Sequence, residues 1–191
     1  LIDHSDSAVR SKVCNLIGNI CRHSSFFYDL LMDHGLIQAA INCCRDPDRN
    51  TRKFACFAVG NAGFHNSKLY EVLRPCVPLL VELLNDPEEK TRANAAGALG
   101  NFVRNSDLLC GELIRNGALK KLIEVAKNDP GPTQSPRQVA LFSIGNLCVY
   151  PECKDEFKKL SERITIEELI NHRDPQVVKY ATRILQKLGP P

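Results

Sequence analysis

The sequence predicts an all-α solenoid in which similar helical units stack side by side. An arginine followed eight residues later by Gly-Asn occurs four times, at Arg10/Gly18-Asn19, Arg52/Gly60-Asn61, Arg92/Gly100-Asn101 and Arg137/Gly145-Asn146. Successive asparagines are 42, 40 and 45 residues apart. A repeat of about 40 to 47 residues is typical of stacked helical units. Apolar residues spaced by three and four in each copy indicate amphipathic helices.

Composition agrees with a folded chain that is not embedded in a membrane. Of 191 residues, 43% are hydrophobic and 25% charged, which supplies enough apolar surface for a core. The net charge of +3 neither indicates nor excludes an acidic partner. No apolar run is long enough to span a membrane, and no leader-like segment opens the chain. Since the chain starts at Leu1 inside an incomplete repeat, we expect a fragment of a longer protein.

Asp-Pro pairs mark the junctions between units, and they lie at Asp46-Pro47, Asp86-Pro87, Asp129-Pro130 and Asp174-Pro175. Proline after aspartate ends one helix and presets the next. We predict a single domain over 1–191, with long helices over 7–22, 49–63, 88–103, 136–149 and 176–188. Two short helices are expected between successive long ones. The Pro/Gly/Ser-rich segment 130–136 is expected to form an irregular loop.

In the first unit the apolar spacing predicts which side chains are buried. Leu16 shares a predicted buried face with Ile17 and Ile20 on the first long helix. Phe27 and Leu30 are expected to turn inward from the short helix that follows.

The nine cysteines are predicted to be core thiols. They form no Cys-x-x-Cys pair, and the five histidines are not at zinc-finger spacing. Cys14 and Cys56 align with Ala96, a small buried position, where free cysteine behaves as a compact hydrophobe. We therefore expect reduced thiols, and neither a metal site nor a cofactor site.

Two patterns resemble known repeats. The segment 95–102, Ala-Ala-Gly-Ala-Leu-Gly-Asn-Phe, resembles the third helix of an armadillo repeat, and 116–123, Asn-Gly-Ala-Leu-Lys-Lys-Leu-Ile, resembles its second helix. The stretch 92–101, with Leu73-Arg74-Pro75 and Gly60-Asn61-Ala62, is similar to the C-terminal armadillo region of Fused-type serine/threonine kinases. The resemblance implies a right-handed superhelical solenoid of about four three-helix repeats plus a C-terminal capping helix.

The armadillo resemblance also implies a binding groove. In armadillo proteins the matching asparagine lines a concave groove and hydrogen-bonds the backbone of an extended peptide. The implied ladder consists of Asn19, Asn61, Asn101 and Asn146. The alternative is that each asparagine bonds a carbonyl of the adjacent helix and fixes repeat stacking. Glycine in a helix interior costs about 1 kcal/mol relative to alanine, so its recurrence indicates a compensating packing role. We therefore expect close helix crossing at Gly18, Gly60, Gly100 and Gly145.

Residues one turn from each asparagine are expected to share its face. The predicted neighbours are Asn15, Phe57, Gly97 and Phe142 before it, and Arg22, Phe64, Arg104 and Val149 after it. Armadillo import receptors typically carry tryptophan at the earlier position, and this chain has none. This argues against a nuclear-localisation-signal receptor. The mixed groove suits a peptide with acidic or apolar character.

The repeated arginines are assigned a structural role. Arg10, Arg52, Arg92 and Arg137 lie nine residues before each asparagine, on the opposite side of the helix. Each follows a junction aspartate, so we predict an Asp–Arg ladder between junctions in preference to a ligand site.

The predicted function is a non-catalytic protein-interaction scaffold. The sequence lacks a Gly-rich loop and the His-Arg-Asp and Asp-Phe-Gly motifs, so a catalytic kinase domain would lie elsewhere in the parent protein. The resemblance to Fused-type kinases implies partners such as Hedgehog-type signalling regulators, transcription-factor complexes or kinesin-type motors. It also implies a cytoplasmic, ciliary or microtubule location. The alternatives are an architectural segment that positions a catalytic domain in cis and a transport or nucleic-acid-binding solenoid.

Overall fold

The computed structural model describes residues 1–128, 133 and 135–190, which form α-helices and no β-strand. In chain order the helices are α1 (Ser7–His23), α2 (Tyr28–Asp33), α3 (Leu36–Cys43), α4 (Arg49–Ala62), α5 (Tyr70–Leu73), α6 (Val77–Leu83), α7 (Glu89–Asn101), α8 (Cys110–Arg115), α9 (Ala118–Asn128), α10 (Ser135–Leu147), α11 (Pro151–Lys159), α12 (Arg163–Leu169) and α13 (Pro175–Leu188). A 3-10 turn over Arg74–Cys76 joins α5 to α6.

The helices stack in two rows. The long helices α1, α4, α7, α10 and α13 pack in that order to form the long-helix row. A second row, made of α3, α6, α9 and α12, packs behind α4, α7, α10 and α13. The short helices α2, α5, α8 and α11 connect the two rows. Each long helix begins and ends within two residues of its predicted bounds.

Local sequence explains where the helices start and stop. Asp6, Asp48 and Asp174 are N-caps whose carboxylates accept from backbone N–H groups of the first helical turn. Gly35 and Gly117, each with φ 66°, precede α3 and α9. Glycine accepts this left-handed conformation without the strain that a side chain would cause.

The junction at Asp174 differs in detail from those at Asp46 and Asp86. Asp46 and Asp86 each lie two residues before an N-cap and accept the backbone N–H of that N-cap residue. Asp174 is itself the N-cap of α13, and His172 occupies the place equivalent to Asp46 and Asp86. The Asp-Pro dipeptide therefore serves two different positions. The predicted junction Asp129-Pro130 lies outside the described residues, as does most of the predicted loop 130–136, although Ser135 and Pro136 are helical.

The core lies between the two rows, and the cysteines are part of it. All nine are free and buried, as predicted. Burial raises the pKa of the Cys21 and Cys148 thiols to about 12. Thiols with such high pKa values stay protonated and unreactive near neutral pH.

Three apolar side chains predicted to be buried are exposed. Leu16 is 60% exposed, Leu30 52% and Phe27 44%. Leu16 is equivalent to Ala58, which packs on the glycine of the preceding long helix, α1. Leu16 therefore faces away from α4, on the outer side of the first long helix.

Two features are absent from the described parts of the chain. None of the helices there combines the length and the apolar character needed to cross a bilayer. Within the same residues, no cluster of three or more His, Cys, Asp or Glu is placed to hold a metal ion.

Candidate functional site along the long helices

Equivalent donors link neighbouring long helices. The Nδ2 atoms of Asn61 and Asn101 donate to the carbonyls of Gly18 and Gly60, at 3.1 and 3.0 Å. Each asparagine therefore bonds the helix before it, which is the stacking role left open by the sequence. The sequence signal for this role is the pairing of the two residues, because the glycine of one repeat exposes the carbonyl that the asparagine of the next repeat binds.

The side-chain oxygens of Asn61 and Asn101 differ from the nitrogens in their hydrogen bonding. Among the described residues, the Oδ1 atoms of Asn61 and Asn101 accept no hydrogen bond, and both side chains are half-buried. Neither oxygen is among the buried polar atoms that lack a partner, so both reach solvent. One amide thus provides a structural donor and a free acceptor at the same time.

Both ends of the predicted ladder differ from its middle. Asn146 is only 8% exposed; its Nδ2 donates to the Gly100 carbonyl, and its Oδ1 accepts from Arg183. The structure therefore corrects the prediction that Asn146 is available to a partner. Asn19 donates to Asn15 within α1, at 3.0 Å from the carbonyl oxygen.

A fifth donor on α13 was missed because that helix carries no Gly-Asn. Lys187 Nζ donates to the Gly145 carbonyl at 2.8 Å, which is the bond that asparagine makes elsewhere. Burial, together with the nearby charge of Arg183, lowers the pKa of Lys187. Counting from the N-caps would have found it, since Lys187 lies as far from Asp174 as Asn61 lies from Asp48.

Close packing explains three of the four glycines. A Cβ atom on Gly100 would lie 2.8 Å from the Cα of Ser143, and one on Gly60 would lie 3.1 Å from the Cα of Ala98. A Cβ atom on Gly18 would meet the Phe57 ring at 2.3 Å. The predicted close crossing of long helices is therefore present at these positions.

The solvent-facing stripe of the long helices is called the groove face below. On α4 and the turn after it, the groove face consists of Asn50, Lys53, Phe54, Phe57, Asn61 and Phe64, and equivalent positions define it on the other long helices. Their spacing places them on one side of a helix. The predicted residues Asn15, Arg22, Gly97, Arg104, Phe142 and Val149 belong to it as well.

Several of the predicted residues contact one another. The Arg104 guanidinium lies over the Phe64 ring at 4.2 Å from its centroid. Phe142 packs against Tyr180, with ring centroids 5.6 Å apart, and the Arg183 guanidinium lies 5.2 Å from the Phe142 centroid. These are distances at which cations and aromatic rings attract. Arg22 is exposed, and its carbonyl lies 3.0 Å from Nε2 of His65.

Among the described residues, two cavities that hold cationic side chains open on the groove face, and a smaller one without a cation, lined by Gln138, Val139, Phe142 and Tyr180, adjoins the second. The α4–α7 pocket has a volume of about 270 Å³ and is lined by Asn15, Lys53, Phe54, Phe57, Lys90, Ala93, Asn94 and Ser135. The α10–α13 pocket has a volume of about 630 Å³ and is lined by Phe142, Lys179, Tyr180, Thr182, Arg183 and Gln186. Most of these residues were not predicted, because they lie more than one turn from a Gly-Asn motif or on α13, which has none.

The predicted Asp–Arg ladder is present at its first two positions. Arg10 donates to both carboxylate oxygens of Asp46, at 2.7 and 2.9 Å. Arg52 Nε donates to Asp86 at 2.7 Å. The hydrogen bonds from Arg10 hold the pKa of Asp46 below its usual value. The ladder is structural, since it joins successive junctions.

Within the described part of the chain, the later arginines donate to backbone carbonyls, and Asp129, the junction aspartate that follows Arg92, lies outside it. Arg92 is 5% exposed and donates to the carbonyls of Asp86 and Pro87. Arg137 donates to the carbonyl of Ala126 at 2.7 Å, and its Nη1 lies 3.3 Å from Nε2 of His172. A histidine thus occupies the place where Arg10 and Arg52 meet an aspartate.

Comparison with known proteins defines the class of protein. A designed armadillo repeat protein in complex with the peptide (KR)4 has a TM-score of 0.90 and 22% identity, over 99% of this chain and 79% of that one. Computationally designed armadillo repeat proteins for modular peptide recognition give a TM-score of 0.85 and 18% identity, over 97% and 78%. The fold is therefore the predicted all-α armadillo-type superhelical solenoid.

Sequence comparison then gives the family. The family model for HEAT repeats matches residues 35–145, and the chain belongs to this family. It is 40% identical to serine/threonine-protein kinase TIO of Arabidopsis thaliana and 29% identical to serine/threonine-protein kinase 36 of Pongo abelii, over 98% and 100% of its length. The chain spans about 15% of each relative. The predicted resemblance to Fused-type kinases is confirmed.

Proposed function

We propose that this chain is a non-catalytic scaffold that binds an extended segment of a partner protein along the groove face. The observation that carries the proposal is the pair of free Oδ1 acceptors on Asn61 and Asn101. They are held in equivalent places because each amide nitrogen is fixed to a neighbouring carbonyl. An extended peptide offers backbone N–H donors at regular intervals, which such a row of acceptors fits.

The two pockets support the same function. They open on the groove face, and the α10–α13 pocket extends from it to Thr182 and Gln186 on α13. Both pockets combine aromatic side chains with polar ones, as recognition sites for peptide side chains do. The solved designed armadillo protein of the same fold is a complex with a peptide. In a Fused-type kinase this scaffold would form a regulatory part of the chain, with signalling or motor proteins as partners in the cytoplasm, at the cilium or on microtubules.

Selection from a random peptide library displayed on phage tests the proposal without assuming a partner. Ala93 is half-buried in the α4–α7 pocket, so Ala93→Trp should fill it and abolish binding of the selected peptides. Lys120→Trp is the matched control, because Lys120 is exposed on α9 in the second row. Peptides that bind Ala93→Trp as well as the parent chain, or that are lost with Lys120→Trp alone, would contradict groove binding.

A further inference from the structure

Charge is strongly segregated on this chain. The groove face holds eight basic residues and no acidic one, and the eight are Lys12, Arg22, Lys53, Lys90, Arg104, Lys179, Arg183 and Lys187. The whole chain has 25 basic and 22 acidic residues, so 17 basic and 22 acidic residues remain elsewhere. The net charge of +3 therefore conceals a basic groove on an otherwise acidic molecule.

These eight cations are not neutralised within the described residues. Arginines and lysines away from the groove face form ion pairs, such as Arg52 with Asp86 and Arg163 with Glu167. None of the eight is within 4.0 Å of a carboxylate oxygen. Glu89, which adjoins Lys90 at the start of α7, accepts instead from Thr133. An unneutralised row of cations favours an anionic partner and repels a basic one.

Four of the eight cations line the two pockets, next to aromatic rings. Lys53 and Lys90 line the α4–α7 pocket together with Phe54 and Phe57. The α10–α13 pocket repeats this composition with Lys179 and Arg183 beside Phe142 and Tyr180. Each pocket therefore suits a carboxylate beside an apolar or aromatic side chain.

We propose that the groove face binds an extended acidic peptide with two clusters of acidic and aromatic residues, about five or six residues apart. The spacing follows from geometry, since two helix-to-helix steps of about 8–10 Å separate the pockets and extended backbone rises about 3.3 Å per residue. The inference rests on the proposed function and names the chemistry of its partner.

The free amide oxygens favour a peptide over a nucleic acid. Asn61 and Asn101 present acceptors, and Asn61 lies beside the α4–α7 pocket on the same helix as Lys53 and Phe57. A peptide backbone supplies N–H donors to these acceptors, whereas a phosphate backbone has none. A polyanion without such donors would use the cations alone.

The test is fluorescence anisotropy with a labelled synthetic peptide that carries two Glu-Asp-Phe clusters about six residues apart. A matched peptide has lysine in place of each acidic residue. We expect the acidic peptide to bind the 191-residue chain, and the lysine peptide to bind at least about tenfold more weakly. Moving the clusters to adjacent positions should also weaken binding, because only one pocket could then be filled.

Charge-reversal variants show which cations bind the acidic peptide. Lys53→Glu/Lys90→Glu should weaken the acidic peptide about tenfold and improve binding of the lysine peptide. Arg45→Glu/Lys120→Glu changes the net charge equally at exposed sites outside the groove face and should leave both affinities nearly unchanged. Circular dichroism melting of each variant verifies that it is folded.

The outcomes separate this inference from the proposed function. If library peptides sensitive to Ala93→Trp prove neutral or basic, the acidic partner is wrong and the groove function stands. If no peptide is sensitive to Ala93→Trp, both are wrong. Tighter binding of single-stranded oligouridine than of the acidic peptide, with steep salt dependence, would overturn the inference in favour of a nucleic acid.

Discussion

The contacts between α7 and α10 and those between α10 and α13 use the same positions in different ways. At the first contact Gly100 lies against the backbone of Ser143, and an asparagine donates to the glycine carbonyl. At the second, the nearest atoms to a Cβ on Gly145 belong to the Arg183 side chain, at 3.6 Å, and Lys187 is the donor. The contact between α10 and α13 is therefore looser, and its hydrogen-bond donors belong to long side chains.

This difference shows that close helix packing at the glycine and hydrogen bonding of the glycine carbonyl do not depend on each other. Every described glycine carbonyl of the Gly-Asn motifs receives a donor, whether the two helices cross closely or loosely. Only the first three contacts, at Gly18, Gly60 and Gly100, need glycine for its size. At the looser end, long cationic side chains replace the short amide, and they create the basic α10–α13 pocket.

The largest expected effect is at the tightest contact. Gly100→Ala should lower the free energy of unfolding by about 3 kcal/mol, because the new methyl group would overlap the Ser143 backbone. Thermal melting followed by circular dichroism measures the loss. A melting temperature equal to that of the parent chain would show that the contact is less tight than the geometry indicates.

The next prediction compares the loss of an asparagine amide donor with the loss of the lysine ammonium donor. Asn101→Ala should cost about 1–2 kcal/mol, since it leaves the carbonyl of the buried Gly60 without its partner. Lys187→Met should cost only about 0.5 kcal/mol, because water can replace the ammonium at the looser end. Urea unfolding of both variants checks the order, and a larger loss for Lys187→Met would reverse the comparison.

The middle of the row can also be made more stable. The hydroxyl of Thr91 is buried and, within the described residues, has no partner, because the N-cap Glu88 makes no side-chain cap bond. The equivalent Asp48 accepts from both N and Oγ1 of Thr51, at 2.8 and 2.9 Å. Glu88→Asp should therefore raise the free energy of unfolding by about 1 kcal/mol. A lower melting temperature would contradict this.

Acid should weaken the first Asp–Arg junction. The Arg10 bonds lower the pKa of Asp46 in the folded state, so its contribution is present above the unfolded pKa and is lost as the pH falls through the folded value. Stability should fall below about pH 4, and less steeply in Asp46→Asn than in the parent chain. Asp155→Asn, an exposed site on α11, is the control. If Asp46→Asn and the parent chain lost stability equally steeply at low pH, the stabilising role of the Asp–Arg ladder would be contradicted.

The smallest effect has the opposite sign. Gly145→Ala meets no atom closer than 3.6 Å and should raise stability by about 0.5–1 kcal/mol through helix propensity alone. If Gly145→Ala destabilises the chain as Gly100→Ala does, the terminal contact is as tight as the middle ones.

The fold could be predicted because several independent sequence features repeat with the same period. Period, apolar spacing and caps all place the long helices, and the Arg–Asp spacing predicts the ladder at Arg10 and Arg52. The exact cap role of Asp174 could not be predicted, because an Asp-Pro dipeptide fits both the N-cap and the position two residues before it. Leu16 follows the helical period, but its face is covered only when a preceding helix lies against it.

The candidate site was only partly predictable. The motif identified Asn61 and Asn101, but both the groove role and the stacking role fit the same residue, and hydrogen-bond geometry was needed to assign the nitrogen to stacking. Lys187 and Arg183 were missed because they replace the motif with different chemistry. The basic character of the groove face emerges only when positions several turns apart are placed on one surface.

The most direct test of the groove is an NMR titration of the labelled chain with a peptide selected from the library. The side-chain amide signals of Asn61, Asn94 and Asn101 should shift, while those of Asn42 and Asn116, away from the groove face, should not. Shifts confined to Asn42 and Asn116 would contradict the account and place the partner on the opposite surface.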